Sequence, residues 1–476
     1  MSTMVQHASS QTGSDWAYSE DIPGSRTDPD DGPWPRSYQI LEEDDIWHEL
    51  RLLAKPQTFH FNTVRGRRAD CINFQPSPST RTQDRYVVKQ LGINGRQWTL
   101  TGVFDGHLGD VTVEHVSHHL PIIIQEFLQN AFENEPSRLS DPTFISDSFS
   151  RSITAFDDAI AGDVLNLFGG IEGLSKYSDA QIRQIINDRH KGGANYTKAR
   201  LNMYGTTALV ALVDPDYKNL WIANLGDCKA ILVSPKEDDK WEVNVLTRDH
   251  NGDNDAEVER VRQEHPDEPD CVIDRRVLGA LAPFRALGDT PFKQPPEFTR
   301  RILFNLLPGF QDTTPWEEFL ARNRTPPYIS SEPEITHCFL DTMAQKGSIQ
   351  GPRFLILSSD GFSDLCKGEG QQRIITDWAK AVVAEGKTSN CAFAGVLNSL
   401  SSNGNAESNI NNILPTYPLS PTSPTAPGTG SESRNMALRL LRRALGGEDK
   451  LRVSKVLTLD MDDAWIDDTA IVVQTL

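Results

Sequence analysis

In the stretch TGVFDGHLGD, residues 101–110, an apolar run gives way to three residues of very different chemistry. An apolar run typical of a buried strand, Trp98 to Phe104, stops at Asp105, and Gly106 and His107 follow directly. Aspartate is disfavoured in strands and common in turns, so one such residue alone predicts a turn rather than a ligand. The pattern gains meaning only because it recurs.

Three other apolar strands also carry aspartate at one end. LWIANLGD ends in Asp227, RFLILSSDGFSD contains Asp360 and Asp364, and WIDDTAIVV carries Asp467 and Asp468 before its apolar run. If these strands are neighbours, their ends converge, and like charges brought together cannot all stay ionised without compensation. A set of oxygen ligands selects Mg²⁺ or Mn²⁺ over zinc. The pattern therefore predicts a site for hard divalent cations.

Two residues beside Asp105 suit such a site. Gly106 has no side chain, so its carbonyl can turn inward as a further oxygen ligand. His107 is a candidate general acid for a leaving group. A histidine after a turn is more often a surface residue, so both interpretations of His107 stay open on the residues alone.

Composition narrows the class of protein. The chain of 476 residues carries 47 Lys and Arg against 66 Asp and Glu, a net charge of −19. This balance argues against sequence-independent binding to nucleic acid or anionic membranes, which need clustered basic residues. The six cysteines lack zinc-motif spacing, so we expect reduced thiols. No apolar run approaches the length of a membrane span.

Two polar segments flank or interrupt the part that folds. Residues 1–36 are expected to be disordered, and the low-complexity residues 401–435 are expected to be a disordered insertion in one domain that spans 37–476. The N-terminus has neither the apolar core of a secretory signal nor the Arg-rich character of a mitochondrial presequence. This favours the cytoplasm or the nucleus.

The clearest secondary structure lies in residues 205–250. Four short apolar runs there are separated by DPDYKN, LGD and PKEDD, which predicts an antiparallel meander. Amphipathic stretches with helical spacing cover 111–132, 144–165 and 435–447. Strand clusters that alternate with helices predict an α+β domain built in layers.

Five motifs resemble, in their order along the chain, the metal-dependent type 2C Ser/Thr protein phosphatases. They are TGVFDGHLGD, ANLGDCKAIL, LGALAPFRALGD, FLILSSDGFSD and DDTAIVV, and the resemblance covers roughly residues 60–476. Residues 260–293 are similar to the catalytic subunits of pyruvate dehydrogenase phosphatases, a branch of this family. The resemblance implies a four-layer α-β-β-α sandwich, in which helix pairs flank two antiparallel sheets.

The resemblance also implies a metal centre with two Mg²⁺ or Mn²⁺ ions at one end of the sandwich. Asp105 would bridge both ions. The Gly106 carbonyl, Asp360 and Asp467 would complete the first ion's ligands, and Asp84 would hold the waters of the second.

Further residues match the family's motifs. Asp227, Asp360 and Asp364 match a third, weaker metal site, and His107 matches the proposed general acid. Two residues of LGALAPFRALGD are implied to contact substrate or to support the ligands: Arg285 and Asp289.

The chain departs from the family pattern beside Asp84. Gln83 stands where glutamate is usual, and a neutral side chain attracts a cation less, so we expect the second ion to bind weakly. The family's phosphate-binding arginine has no certain counterpart. The candidates are Arg81, Arg65, Arg67 and Arg68.

Three functions fit these observations. The leading hypothesis is hydrolysis of phosphoserine or phosphothreonine in a protein substrate by a hydroxide that bridges two metal ions, with His107 as the acid. A catalytically weakened scaffold that binds phosphoproteins is the second, motivated by Gln83, and a hydrolase of small phosphate esters is the third. The likeness to pyruvate dehydrogenase phosphatases favours the mitochondrial matrix, against the N-terminal signal. A regulatory subunit is possible but cannot be read from the sequence.

Overall fold

The computed structural model describes residues 13–22, 24–26, 34–61, 66–138, 141–238, 240–310, 312–340, 351–400, 434–461 and 464–476, with the backbone alone for 386–400. The predicted insertion 401–435 lies outside the described residues except for its last two. Arg65 also lies outside them.

The described residues form eighteen strands: β1 (Ser14–Ala17), β2 (Arg36–Gln39), β3 (Gln57–His60), β4 (Arg68–Phe74), β5 (Arg85–Ile93), β6 (Arg96–Phe104), β7 (Gly106–His107), β8 (Gly205–Thr206), β9 (Ala208–Val213), β10 (Asn219–Leu225), β11 (Lys229–Pro235), β12 (Trp241–Val245), β13 (Val272–Ile273), β14 (Arg276–Val277), β15 (Leu287–Gly288), β16 (Glu334–Phe339), β17 (Phe354–Ser358) and β18 (Thr469–Thr475).

The same residues form thirteen α-helices: α1 (Glu43–Ala54), α2 (Val111–Asn134), α3 (Pro142–Leu165), α4 (Asp179–Ile186), α5 (Ala194–Arg200), α6 (Asp255–Glu264), α7 (Thr290–Lys293), α8 (Pro296–Arg301), α9 (Thr314–Leu320), α10 (Asp360–Leu365), α11 (Gln371–Leu400), α12 (Met436–Leu445) and α13 (Lys450–Thr458). Helices α2, α3 and α12 confirm the three predicted from amphipathic spacing. Within the described residues, no helix has the length and apolar character of a membrane span.

Two antiparallel sheets form the centre of the structure. One has five strands in the order β16-β10-β9-β6-β5, and the other has six in the order β12-β11-β17-β18-β4-β3. Buried side chains of both sheets, among them Leu209, Leu232 and Val472, share one apolar cluster. A second cluster joins the five-stranded sheet to α2 and α3, and a third joins the six-stranded sheet to α1 and α10–α13. The prediction of helices combined with antiparallel sheets is confirmed.

The predicted meander in residues 205–250 is wrong in its pairing. Strand β9 pairs with β10 in the five-stranded sheet, whereas β11 pairs with β12 in the six-stranded sheet. The chain crosses between the sheets at Gly226, which has φ 113° and where a Cβ would lie 2.5 Å from the Cβ of Thr207. Only glycine fits this backbone and this space. Asp227 therefore lies in the crossing between the two sheets.

Part of the N-terminal segment is ordered, contrary to the expectation for residues 1–36. Strand β1 pairs with β2, with Ser14 opposite Gln39. Ala17 and Ile22 are only 0% and 3% exposed and belong to the cluster that contains α1 and α13. Isolated apolar residues in a polar stretch produce no periodic pattern, so the sequence did not reveal these anchors.

The apolar cluster shared by the two sheets allows a prediction about the stability of the protein. Leu232→Ala removes a fully buried side chain and should lower the free energy of unfolding by about 2–5 kcal/mol, because it leaves a cavity as well as losing apolar contacts. Leu52→Ala is the matched control, because Leu52 is 55% exposed and the change should stay within about 0.5 kcal/mol. Urea unfolding measures both, and equal losses would contradict this assignment of the core.

Candidate metal centre

Three carboxylates from different strand ends meet at one point. Asp105 follows β6, Asp227 lies between β10 and β11, and Asp360 follows β17 as the first residue of α10. One carboxylate oxygen of each residue lies within 4.8 Å of the other two. All three side chains are half-buried. Strands that are far apart in sequence therefore bring together the acids that the strand-end pattern singled out.

Asp84 lies next to this group and is almost fully buried. Its Oδ2 accepts a hydrogen bond from the backbone N–H of Ala470, at 2.9 Å, so the first residues of β18 hold it in place. Burial, and then the negative charge of Asp468, raises the pKa of Asp84 to about 8. The environment thus disfavours the ionised form of this side chain.

The other carboxylates show the same effect. Burial, followed by the charges of Asp84 and Asp360, raises the pKa of Asp105 well above its usual range. Burial and the charge of Asp360 raise the pKa of Asp227 to about 6. Burial is the first cause of each shift, and the negative charges of the neighbouring acids add to it.

Unsatisfied oxygens show that a cation fits this site. The Oδ1 of Asp360 and the Oε1 of Gln83 are buried, and neither finds a hydrogen-bond partner among the described residues. A buried acceptor without a donor costs roughly 1–3 kcal/mol. The donor set is entirely oxygen, which matches Mg²⁺ or Mn²⁺.

Arg26, in the N-terminal segment, contributes positive charge to the site. Its guanidinium contacts Asp467 and lies 3.9 Å from Asp360. Its backbone N–H donates to the carbonyl of Trp465, at 2.9 Å, which anchors the segment next to β18. Nothing in the local sequence around Arg26 indicates this contact, because it joins residues from opposite ends of the chain.

His107 lies on a small sheet next to the carboxylates. Strands β15, β8 and β7 form this sheet, and His107 is opposite Gly205. The Nε2 of His107 lies 2.8 and 2.9 Å from the two carboxylate oxygens of Asp289, which is 2% exposed. Burial acts to lower the pKa of His107, but the charge and hydrogen bond of Asp289 outweigh it and raise the pKa. A protonated imidazole is the form that can donate a proton to a leaving group.

Gly106 joins the carboxylates to this small sheet, and the space around it requires glycine. A Cβ at this position would lie 2.7 Å from the Cγ1 of Val113 and 2.8 Å from the carbonyl oxygen of Gln83. Any larger residue would push β7 away from α2. The close approach places Asp105 and His107 on either side of one tightly held residue.

Asp468 supports the site, although the sequence reasoning assigned it no role. Its Oδ2 accepts the backbone N–H of Gln83, at 2.7 Å, and its Oδ1 accepts the side chain of Gln75, at 2.9 Å. It therefore fixes the segment that leads into Asp84. The sequence offered one signal for this role, because Asp468 directly follows Asp467 at the start of the last apolar run.

Two further predicted residues, Asp364 and Arg285, have different surroundings. Asp364 is in α10, about one turn after Asp360, and pairs with Lys367 at 2.8 Å. The described hydrogen bonds of Arg285 go to the carboxylate of Glu257, at 2.6 and 3.0 Å, and to the carbonyl of Glu332. Arg285 thus joins α6 to the loop before β16.

The candidate phosphate-binding arginines differ in their surroundings. Arg67 stacks over the ring of Tyr217, and Arg68 pairs with the buried Asp70 at 3.0 Å. Arg81 pairs with Asp110 at 2.9 Å, and its side chain is 75% exposed. Of the three described candidates, Arg81 is the most accessible to a ligand.

Comparisons with known proteins place these residues in a family. The family model for protein phosphatase 2C matches residues 82–396. The chain is 33% identical over 276 residues to human pyruvate dehydrogenase (acetyl-transferring) phosphatase 2, mitochondrial, an alignment that covers 54% of this chain and 45% of the relative. It therefore spans less than half the length of that relative.

Two further proteins are similar over more of their length. A protein phosphatase 2C homologue of Schizosaccharomyces pombe is 27% identical over 391 residues, which cover 79% of this chain and 72% of the relative. The crystal structure of a serine-threonine phosphatase 2C from Toxoplasma gondii is 14% identical with a TM-score of 0.45, and the match covers 88% of this chain and 100% of that one.

The position of Arg26 predicts competition with metal ions. If Asp467 and Asp360 hold an ion, as the resemblance implies, Arg26→Ala should strengthen Mn²⁺ binding by about tenfold, roughly 1.4 kcal/mol, because the guanidinium contacts Asp467 and lies 3.9 Å from Asp360. Titration calorimetry of metal-free protein measures this affinity without any assay of activity. Arg300→Ala is the control, since Arg300 pairs with Glu317 on the surface. Identical affinities in wild type and Arg26→Ala would show that no competition occurs.

Proposed function

The chain belongs to the protein phosphatase 2C family, and we propose that it is a metal-dependent phosphatase of phosphoserine and phosphothreonine in proteins. One observation carries this proposal. One carboxylate oxygen each of Asp105, Asp227 and Asp360 lies within 4.8 Å of the other two. His107, two residues after Asp105, pairs with Asp289. Oxygen ligands for divalent cations and a proton donor next to them are the two requirements of this hydrolysis.

The proposed architecture is a four-layer α-β-β-α sandwich within a domain that spans 37–476. Three buried clusters support it: one between α2–α3 and the five-stranded sheet, one shared by the two sheets, and one between the six-stranded sheet and α1 and α10–α13. The carboxylates then lie at one end of the two central layers.

The metal ligands are proposed as follows. Asp105, the Gly106 carbonyl, Asp360 and Asp467 would hold two Mg²⁺ or Mn²⁺ ions, and Asp84 would hold the waters of the second. Asp227, Asp360 and Asp364 would hold a third ion more weakly. When bound, the ions supply Lewis acidity that activates water and offsets the charge of the phosphoryl oxygens. Gln83 adds no charge to this set, so the second ion is expected to be held less tightly.

His107 is proposed to protonate the departing seryl or threonyl oxygen. Asp289 holds Nε2, so Nδ1 is the nitrogen that is free to transfer the proton. The carboxylate stabilises the imidazolium before transfer and fixes the direction of the ring. Arg81 is the proposed phosphate contact, because it is exposed and its partner Asp110 immediately precedes α2.

The alternative function is a phosphoprotein-binding scaffold with weakened catalysis. The contact of Arg26 with Asp467 and its nearness to Asp360 favour it, since a guanidinium there substitutes for part of the charge of a metal ion. Calorimetry separates the two functions. Failure to bind Mn²⁺ or Mg²⁺ in both wild type and Arg26→Ala would favour the scaffold.

The relatives named as pyruvate dehydrogenase phosphatases indicate which substrate to test first. Phosphorylated pyruvate dehydrogenase should be compared with an unrelated phosphothreonine peptide. Preference for the former would also favour the mitochondrial matrix over the cytoplasm or nucleus. Equal rates would leave a broader range of phosphoprotein substrates.

Asp105→Asn should abolish turnover while the protein stays folded. Loss of several kcal/mol of metal-dependent stabilisation corresponds to a rate reduction of more than about 100-fold. Without metal, the variant should melt at a temperature equal to or above that of wild type, because it removes a carboxyl group whose ionised form burial and the neighbouring acids disfavour. Hydrolysis of a phosphothreonine peptide across Mn²⁺ and Mg²⁺ titrations, with Asp216→Asn as the surface control, measures the first effect. Retained activity in Asp105→Asn would rule out this metal centre.

His107→Ala should lose activity in a way that depends on the leaving group. We expect kcat on a phosphothreonine peptide to fall by about 10²–10⁴-fold, the usual contribution of a general acid. The loss on p-nitrophenyl phosphate should be far smaller, because nitrophenolate departs without a proton. The exposed His48 provides the control variant His48→Ala. Equal losses on both substrates would exclude His107 as the acid.

A further inference from the structure

A buried ion pair lies behind the turn that carries Asp289. The Nζ of Lys293 is 2.6 Å from the Oδ2 of Asp157, and the two side chains are 11% and 6% exposed. Lys293 also donates to the carbonyl of Ala286, at 2.7 Å, and the Oδ1 of Asp157 accepts the backbone N–H of Gly288, at 2.7 Å. The pair thus binds backbone groups on both sides of Leu287, just before Asp289.

This turn has a backbone conformation that needs such support. Gly288 has φ 76° and Asp289 has φ 48°, so a residue with a side chain occupies the left-handed region. The backbone N–H of Asp289 donates to the carbonyl of Tyr204, at 3.1 Å. An unfavourable backbone conformation persists only where surrounding contacts hold it, and it occurs often at functional sites.

The carboxylate of Asp289 has little room to move. It lies over Gly205, where a Cβ would be 2.1 Å from its Oδ2, and Gly205 is opposite His107 in the small sheet. A shift of the turn therefore changes the position of Asp289 relative to the imidazole. A misplacement of 1 Å can lower a catalytic rate by about 10²-fold.

Stability alone does not account for a buried pair of this kind. Burial raises the pKa of Asp157, and the charge and hydrogen bond of Lys293 act against that rise. Desolvation offsets much of the attraction in buried ion pairs, and apolar replacements are often equally stable. The hydrogen bonds to Ala286 and Gly288 give the pair a different use, which is to hold the turn.

From these contacts we propose that Asp157 and Lys293 are positioning residues for proton transfer by His107. They hold the turn at 286–289 so that Asp289 faces the imidazole. The inference rests on the proposed function, in which His107 protonates the leaving oxygen. The described contacts of the pair do not reach the converging carboxylates, so metal binding should not depend on it.

The test replaces the pair without leaving a buried charge unpaired. The double variant Asp157→Asn/Lys293→Met removes both charges, whereas either single change risks unfolding. We expect kcat on a phosphothreonine peptide to fall by about 10–100-fold, with KM and Mn²⁺ affinity unchanged. The kcat on p-nitrophenyl phosphate should stay within about twofold, because this leaving group needs no acid.

The control is another ion pair that also involves α3. Asp163→Asn/Lys198→Met removes a pair of 3.0 Å between α3 and α5 that makes no described contact with the turn, and it should change neither rate. A fall on both substrates alike, or on neither, in the Asp157→Asn/Lys293→Met variant would overturn the proposal. Thermal melting confirms that each variant is folded.

A second measurement separates failure of this inference from failure of the proposed function. If wild-type protein hydrolyses neither substrate, the phosphatase function fails, but the positioning role can still be tested. Proton NMR of metal-free protein with ¹⁵N-labelled histidine should show the ring N–H of His107 bound to Asp289, assigned with His107→Gln. This resonance should shift or vanish in the Asp157→Asn/Lys293→Met variant and persist in the control. An unchanged resonance would overturn the positioning role.

Discussion

Mutual repulsion among carboxylates is the constraint on which the site depends. Asp105, Asp227 and Asp360 belong to different strand ends, and the apolar core between the two sheets brings them within 4.8 Å of one another. The stability of that core offsets the electrostatic cost of the arrangement. Burial and this repulsion together raise the pKa values of Asp105 and Asp227, and the Oδ1 of Asp360 is left without a hydrogen-bond partner among the described residues. A divalent cation removes both at once, which is why this end of the sheets is suited to metal chemistry.

His107, the proposed general acid, is held by a part of the structure different from the one that holds the carboxylates. His107 lies on the small sheet β15-β8-β7, and Asp289 follows β15 in that sheet. Gly106 connects this sheet to the end of β6. A change that loosens the small sheet should therefore affect proton transfer and leave metal binding intact. This separation makes it possible to test the two parts of the proposed mechanism independently.

Segments outside the family match of residues 82–396 contribute residues next to the carboxylates. Asp467 and Asp468 precede β18, which pairs with β17 and so lies next to the strand that ends before Asp360. Arg26 reaches the same point from the N-terminal segment. Both ends of the chain thus meet at the carboxylates, and the charge balance of the site depends on residues far from the matched region.

Features with a local signature could be predicted from the amino-acid sequence alone. Helices α2, α3 and α12 follow from 3.6-residue spacing, and the acids at strand ends follow from the abrupt stop of apolar runs such as the one before Asp105. Three features became visible only in the folded chain: the crossing between the sheets at Gly226, the contact of Arg26 with Asp467, and the ion pair of Asp157 and Lys293 next to the turn before Asp289. These contacts join residues separated by many positions. A local pattern carries no information about a distant partner, so packing of the whole chain had to select them.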